Sequence, residues 1–182
     1  MKRAAVLAPG YGGSASQPIL RALAVALASV GIESTAITFR TRGARPSKSY
    51  SVELEDLRTA RDRLREAGSE RIALVGRSFG GRMCAFLAET EPPDALVILG
   101  HPIAPPDRPR PRDEAVLAGI TCPTLVVQGE RDELGPFAVL ERVASGNPRI
   151  DLVRIGGAGH DFGPGEPEAV AAAARWLDGV LR

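Results

Sequence analysis

Gly76-Arg77-Ser78-Phe79-Gly80 directly follows the apolar run Ile72-Ala73-Leu74-Val75 and opens a helix-like stretch. A strand, a sharp turn and a helix in that order lift a serine hydroxyl clear of the sheet as a nucleophile. The turn is so tight that the positions two before and two after the serine must carry minimal side chains, here Gly76 and Gly80. The pentapeptide alone recurs by chance in Gly- and Ser-containing chains. Its weight comes from Gly129-Glu130-Arg131-Asp132 and Gly159-His160-Asp161, each just past an expected strand and in the chain order Ser, Asp, His. Acyl transfer needs that set: a nucleophile, a base for its proton, an acid that orients the base, and two N–H groups aimed at the developing oxyanion.

Ser78 is the candidate nucleophile, because Phe79-Gly80-Gly81 begins a helix whose positive N-terminal end favours negative charge there. The chain has two histidines. His160 lies in the loop Gly156-Gly157-Ala158-Gly159-His160-Asp161-Phe162 after the last expected strand and can reach across to Ser78. His101 follows the strand Ala95–Leu99 and Gly100 but precedes Pro102 in a stiff segment, so it reads as pocket wall or strand-end cap. For the orienting acid, Asp132 has the best offset from the strand Thr124–Gln128, with Glu130 and Glu133 as neighbours that a solvated acidic turn also explains. Ala8-Pro9-Gly10-Tyr11-Gly12-Gly13-Ser14 ends the first strand. Its glycines let backbone approach a ligand, so the Tyr11 amide is expected to join the Phe79 amide as the oxyanion hole, with Gly10 and Gly12 lining the pocket. A phosphate cradle is the competing reading of this loop, but neither GxGxxG nor GxxxxGK[ST] is present.

These residues must be held by a scaffold, and the pattern names one. Strand-length apolar runs alternate with helix-period segments throughout, the signature of an α/β three-layer sandwich around a six-stranded parallel sheet. The expected strands are Ala4–Ala8, Ser34–Phe39, Arg71–Val75, Ala95–Leu99, Thr124–Gln128 and Asp151–Ile155. Pro18 and Gly31 bracket a helix with Ile19, Leu20, Leu23, Leu27 and Val30 on one face. Ser51 caps the next, which turns Leu54, Leu57 and Leu64 inward and stops at Gly68. Further helices run from the turn at Ser78 to about Glu91, from Pro136 to Ala144, and from Pro167 to Leu181 with Trp176 and Leu177 as anchors. Arg40–Ser49 and the proline-rich Gly100–Asp113 are expected as loops. They lie on the carboxyl side of the sheet, where ligands bind. Arg108, Arg110 and Arg112 could draw an anion, but the flanking Asp107 and Asp113 and easy solvation argue for a plain surface role.

A length of 182 residues fits one domain over 1–182. The net charge of +1 gives no reason to expect nucleic acid or an anionic membrane as partner. The apolar stretch after Lys2-Arg3 is too short for a signal peptide and runs into a Gly-rich turn, so it reads as the first strand. Cys84 and Cys122 are the only cysteines, which fits neither a disulfide framework nor a paired metal site and favours a cytoplasmic location.

The chain resembles the alpha/beta-hydrolases along almost its whole length, through Gly76–Gly80, Gly129–Asp132 and Gly159-His160. His101-Pro102-Ile103 through Arg112-Asp113-Glu114, followed by Cys122-Pro123-Thr124-Leu125-Val126-Val127-Gln128-Gly129, is similar to a small lidless group that includes a testis-expressed hydrolase-like protein, with dienelactone hydrolases as more distant relatives. The resemblance implies a Ser78-Asp132-His160 triad, an ester, thioester or amide substrate and no cofactor. It implies also that the amino-terminal antiparallel strands and the helical cap after Ala95–Leu99 are absent, which leaves an open site for small or medium acyl groups. Some members of that group look like hydrolase-shaped interaction proteins with weak or no catalysis. Many relatives have His-Gly where this chain has Pro9-Gly10, although the backbone amides remain.

Overall fold

The computed structural model describes residues 1–182. Its six strands are β1 (Arg3–Ala8), β2 (Ile32–Ala36), β3 (Arg71–Arg77), β4 (Ala95–Leu99), β5 (Thr124–Gly129) and β6 (Ile150–Ile155). They form one sheet in the order β2-β1-β3-β4-β5-β6, with every neighbouring pair parallel. Strands covered on both faces read as unbroken apolar runs, which is why Ala4–Ala8, Ile72–Val75 and Ala95–Leu99 are wholly buried. The edge strand β2 instead alternates, with Ile32 buried and Glu33 and Thr35 exposed.

The helices are α1 (Pro18–Ser29), α2 (Ser51–Glu66), α3 (Phe79–Thr90), α4 (Pro111–Ala118), α5 (Phe137–Ser145) and α6 (Glu166–Val180). Leu57, Leu64, Met83, Leu87, Leu117 and Leu140 place α2 to α5 over one face of the sheet. Leu20, Leu23, Leu27, Ala173 and Leu177 place α1 and α6 over the other. Trp176 is only partly buried and donates its indole N–H to Asp151 at 2.8 Å. The chain runs from β1 to β2 on one side and returns to β3 on the other, so the strand order reverses between β1 and β3. Open parallel sheets bind ligands at the carboxyl ends of strands beside such a reversal. Gly10-Tyr11 and Ser78 stand at those two ends.

The structure corrects three expectations. The second strand is Ile32–Ala36 rather than Ser34–Phe39. Ile37 still donates to Leu7 O, but β1 then leaves the sheet at Pro9, which has no N–H, so Thr38 and Phe39 lose their ladder partner. Phe39 becomes a core residue packed edge-on to Phe79 at 5.7 Å. The proline-rich loop ends at Arg110, because Pro111 at the first turn with Asp113 and Glu114 behind it starts α4. Ser51 is the first residue of α2, not its cap; the Ser47 hydroxyl accepts the Val52 N–H at 3.0 Å instead. A single 3-10 turn, Lys48–Tyr50, sits between them and takes in the end of the expected loop.

Candidate active site

The turn at Ser78 is strained. Its φ of 48° and ψ of −112° lie where non-glycine residues are rare. A Cβ at Gly76 would collide with Gly81 N, and one at Gly80 would lie 2.5 Å from Ala8 O. Two bonds hold the turn: Ser78 N donates to Leu99 O at 2.9 Å, and Arg82 N donates to Ser78 O at 3.0 Å. The last ties Ser78 to the first turn of α3.

Ser78 Oγ is 2.8 Å from His160 Nε2, and His160 Nδ1 is 2.8 Å from Asp132 Oδ2. Asp132 is 2% exposed and accepts from several other donors. Leu134 N and Gly135 N reach Oδ1 at 2.9 and 3.2 Å, and Gln128 Nε2 reaches Oδ2 at 2.9 Å. A carboxylate so supplied with donors is a fixed acceptor for a ring N–H. Glu130 turns away to accept Gly157 N at 2.8 Å, and Glu133 is exposed. Of the three acids, Asp132 alone meets the histidine. Gln128, near the end of β5, also clamps His101: it accepts His101 N at 2.7 Å and donates to His101 O at 3.1 Å. A lone amide side chain at the end of the apolar run Leu125-Val126-Val127 is its one signal in the sequence.

His101 is 1% exposed, and neither ring nitrogen has a hydrogen-bond partner. Burial pulls its pKa from 6.5 to about 4, keeping the ring neutral. It sits beneath the cleft and does not line it, so its expected place in the pocket wall is corrected. Gly10 and Gly12 do not line the main cleft itself but an adjoining hollow of about 160 Å³, beside Phe39 and Arg42, that shares Tyr11, Pro46 and Phe79 with it. The main cleft, about 730 Å³, opens on Ser78 and is walled by Tyr11, Tyr50, Phe79, Pro102 and Arg110, among others. A comparable hollow of about 810 Å³ runs along β2 and α2 but contains no histidine, cysteine or element of the Ser78 cluster.

The Tyr11 amide makes no hydrogen bond within the protein. The Phe79 amide is the first of α3, and a helix leaves its first four amides without internal partners. The Gly10–Tyr11 turn is pinned by Gln17, whose Oε1 accepts Gly10 N at 3.0 Å, and by Gly13 N donating to Gly10 O at 3.0 Å. Both amides therefore belong to anchored backbone at the ends of adjacent strands.

Arg77 occupies the variable position of the pentapeptide. It is 7% exposed, donates to Leu99 O at 3.0 Å and to His160 O, and lies over the Phe162 ring at 5.4 Å. Burial lowers its pKa, opposed by the field of Asp132, Asp161 and Glu166. Gly100, at φ 70°, makes room for it, since a Cβ there would strike Arg77 Nη1. Arg82 is equally buried and pairs with Asp113, with Nε to Oδ1 at 2.5 Å and Nη2 to Oδ2 at 3.2 Å.

Cys84 and Cys122 are free and buried, and burial raises both thiol pKa values, which leaves them poor nucleophiles. No group of three or more His, Cys, Asp or Glu side chains is placed to hold a metal ion. No helix is long and apolar enough to cross a membrane.

No curated protein matches the sequence. Among solved structures, a dienelactone hydrolase from Anabaena variabilis is similar at TM-score 0.81 and 26% identity, over 100% of this chain and 88% of that one. An alpha-beta serine hydrolase homologue from Coxiella burnetii is similar in fold at TM-score 0.82 and 24% identity, over 96% and 85%. A serine hydrolase without a lid from Xanthomonas campestris is similar in fold at TM-score 0.79 and 21% identity, over 100% and 84%. The family model for the alpha/beta hydrolase domain matches residues 1–178, and the chain belongs to the alpha/beta hydrolase family.

Proposed function

We propose that the chain, acting as one domain over residues 1–182, cleaves a carboxylic ester or thioester of a small to medium acyl group through an acyl-enzyme on Ser78. The observation that carries this reading is the unbroken relay of 2.8 Å from Ser78 Oγ to His160 Nε2 and 2.8 Å from His160 Nδ1 to Asp132. In the forward step Ser78 Oγ bonds to the acyl carbon while its proton passes to His160 Nε2. The Asp132 carboxylate stabilises the resulting imidazolium, and the Tyr11 and Phe79 amides receive the charge that moves onto the carbonyl oxygen. Collapse breaks the bond to the alcohol or thiol, which leaves with the proton from His160. A water molecule then repeats the sequence on the acyl-serine, giving the carboxylic acid and free Ser78.

The acyl size follows from the short connection between β4 and α4. The segment from Gly100 to Arg110 carries no inserted helices, so little apolar surface is available to cover a long chain. The free, buried Cys84 and Cys122 fit a reducing, cytoplasmic setting.

Labelling by a fluorophosphonate probe tests the nucleophile directly. Labelling of Ser78, its loss in Ser78→Ala, and a fall in p-nitrophenyl ester hydrolysis on the order of 10⁴-fold or more in that variant are the expected results. Undiminished turnover in Ser78→Ala overturns the assignment. Across a chain-length series, a rate maximum at long acyl chains or a jump in activity on adding micelles overturns the open-site reading.

A further inference from the structure

One part of the cleft lining is rich in charge. Three arginines line it, Arg82, Arg108 and Arg110, together with Asp107. Asp113, whose position beside Arg112 suggested local neutralisation, is turned inward and spent on Arg82. Arg112 lies instead over the Phe86 ring at 4.5 Å and 3.7 Å from Glu89. The Arg82–Asp113 pair is neutral as a unit, which leaves Arg110 and Arg108 against the single exposed Asp107. Arg110 is half-buried and held by one hydrogen bond, Nη1 to Pro102 O at 3.0 Å, with no carboxylate in ion-pairing reach. Burial, followed by repulsion from Arg82, lowers its pKa. Asp113 acts on Arg110 only as a charge already paired with Arg82, and a partly desolvated cation whose one hydrogen bond goes to a carbonyl keeps capacity to bind an anion.

Beside it stands Tyr50, in a conformation that nothing in the sheet demands. Ser49 and Tyr50 both have φ of 54°, two consecutive non-glycine residues in the left-handed region, which is costly unless the surroundings impose it. The fully buried Glu53 carboxylate imposes it by accepting Ser47 N at 2.8 Å, Ser47 Oγ at 2.5 Å and Thr41 Oγ1 at 2.9 Å. The Tyr50 ring stacks on Phe86 at 5.5 Å, and its oxygen accepts from Arg82 Nη2 at 3.3 Å. The hydroxyl hydrogen has no acceptor in the protein, and Tyr50 lines the same cleft as Ser78.

We propose that Arg110 and the Tyr50 hydroxyl form a recognition subsite for a second, free carboxylate of the substrate. The preferred substrate is then an ester or thioester that carries a carboxylate on the part of the molecule away from the scissile bond. This deepens the reading of the cleft as an esterase site and rests on it. The planar fork of Arg110 and one neutral O–H match a monoanionic carboxylate, and Arg108 at the exposed rim adds attraction on approach. Asp107 opposes the binding, so its removal strengthens it.

The test compares monoethyl succinate, adipate and suberate with the neutral ethyl esters of butyrate, hexanoate and octanoate. The protein is expected to favour at least one hemiester over its neutral counterpart in kcat/KM. Arg110→Met should lower that ratio by on the order of tenfold to a hundredfold, Arg110→Lys by less, and added salt should lower it in the unmodified protein. Asp107→Asn should raise it. Calorimetric binding of monoethyl adipate to Ser78→Ala, with and without Arg110→Met, reads the subsite without any chemistry. Equal ratios and equal binding with and without Arg110 overturn the subsite; if Ser78 is still labelled by the fluorophosphonate, the esterase reading survives that failure. Ester hydrolysis persisting undiminished in Ser78→Ala overturns the acyl-enzyme on Ser78, and the calorimetric arm still decides the subsite.

Discussion

Ser78 has two flanks, each held by an arginine that is 7% exposed, and the two arginines are held in different ways. On the cleft side Arg82 meets a carboxylate, Asp113, 31 residues along the chain. Burial is the largest single influence and lowers its pKa, but the hydrogen bonds and charge of Asp113 together with Tyr50 raise it overall. On the histidine side Arg77 meets only carbonyl oxygens and the Phe162 ring, and burial lowers its pKa. A salt bridge fastens one element to another, here α3 to α4. Donation to the carbonyl of His160 fastens the backbone of a loop that must hold its side chain in register with Ser78. The cleft side is therefore anchored as a wall and the histidine side as a positioning device.

The contrast can be broken at four points. The deepest cut is on the histidine side: Asp132→Asn should lower kcat by on the order of 10⁴-fold, because the amide no longer holds the imidazole in the right tautomer or stabilises its charge. Steady-state kinetics at saturating ester measure it, and a loss of only a few-fold would remove Asp132 from the relay. Next comes the wall. Arg82→Met leaves Asp113 buried without its partner and should destabilise the protein by about 3–5 kcal/mol in denaturant unfolding, while Arg82→Met with Asp113→Leu should recover most of that. If the single and double variants are equally unstable, the pair is not what fastens α4.

Third is His101, the buried histidine beneath the wall. Its folded pKa of about 4 lies below the ordinary 6.5, so between those values the unfolded chain binds more protons and stability falls as the pH is lowered. The full loss amounts to about 3 kcal/mol, reached below pH 4. Unfolding free energies measured across that window should show a shallower acid slope in His101→Leu than in the unmodified protein. An unaltered slope would assign the acid sensitivity to other groups. The smallest effect is on Arg77. Arg77→Met should lower kcat by about tenfold to a hundredfold with little change in KM, since a displaced base slows chemistry without removing a substrate contact. Arg77→Lys should restore part of it. A rise in KM with kcat intact would make Arg77 part of the binding surface and erase the distinction between the two flanks.

The residues that carry the relay were legible because each bears a local signature. Gly76 and Gly80 mark a turn that no side chain tolerates, and His160 lies in a glycine-rich loop past a strand. Asp132 was separated from Glu130 and Glu133 only by its offset, and the structure distinguishes them by which side chain turns inward. The surroundings were less legible. The Arg82–Asp113 pair joins distant segments, the left-handed Tyr50 depends on Glu53 bonding to Ser47, and Arg77 occupies a position where the turn accepts many residues. Helix α4 was hidden by the prolines before it, although Pro111 followed by Asp113 and Glu114 was its signal.

Periodicity and turn chemistry act between near neighbours in the chain, so the sequence by itself determined the parallel α/β sandwich, the turn at Ser78 and the residue types at three strand ends. The tertiary structure alone decided which carboxylates are spent inside the protein and which arginines are left to face the cleft. Those outcomes depend on distances between segments far apart in sequence and on the cost of burying charge, and neither quantity exists until the chain has packed.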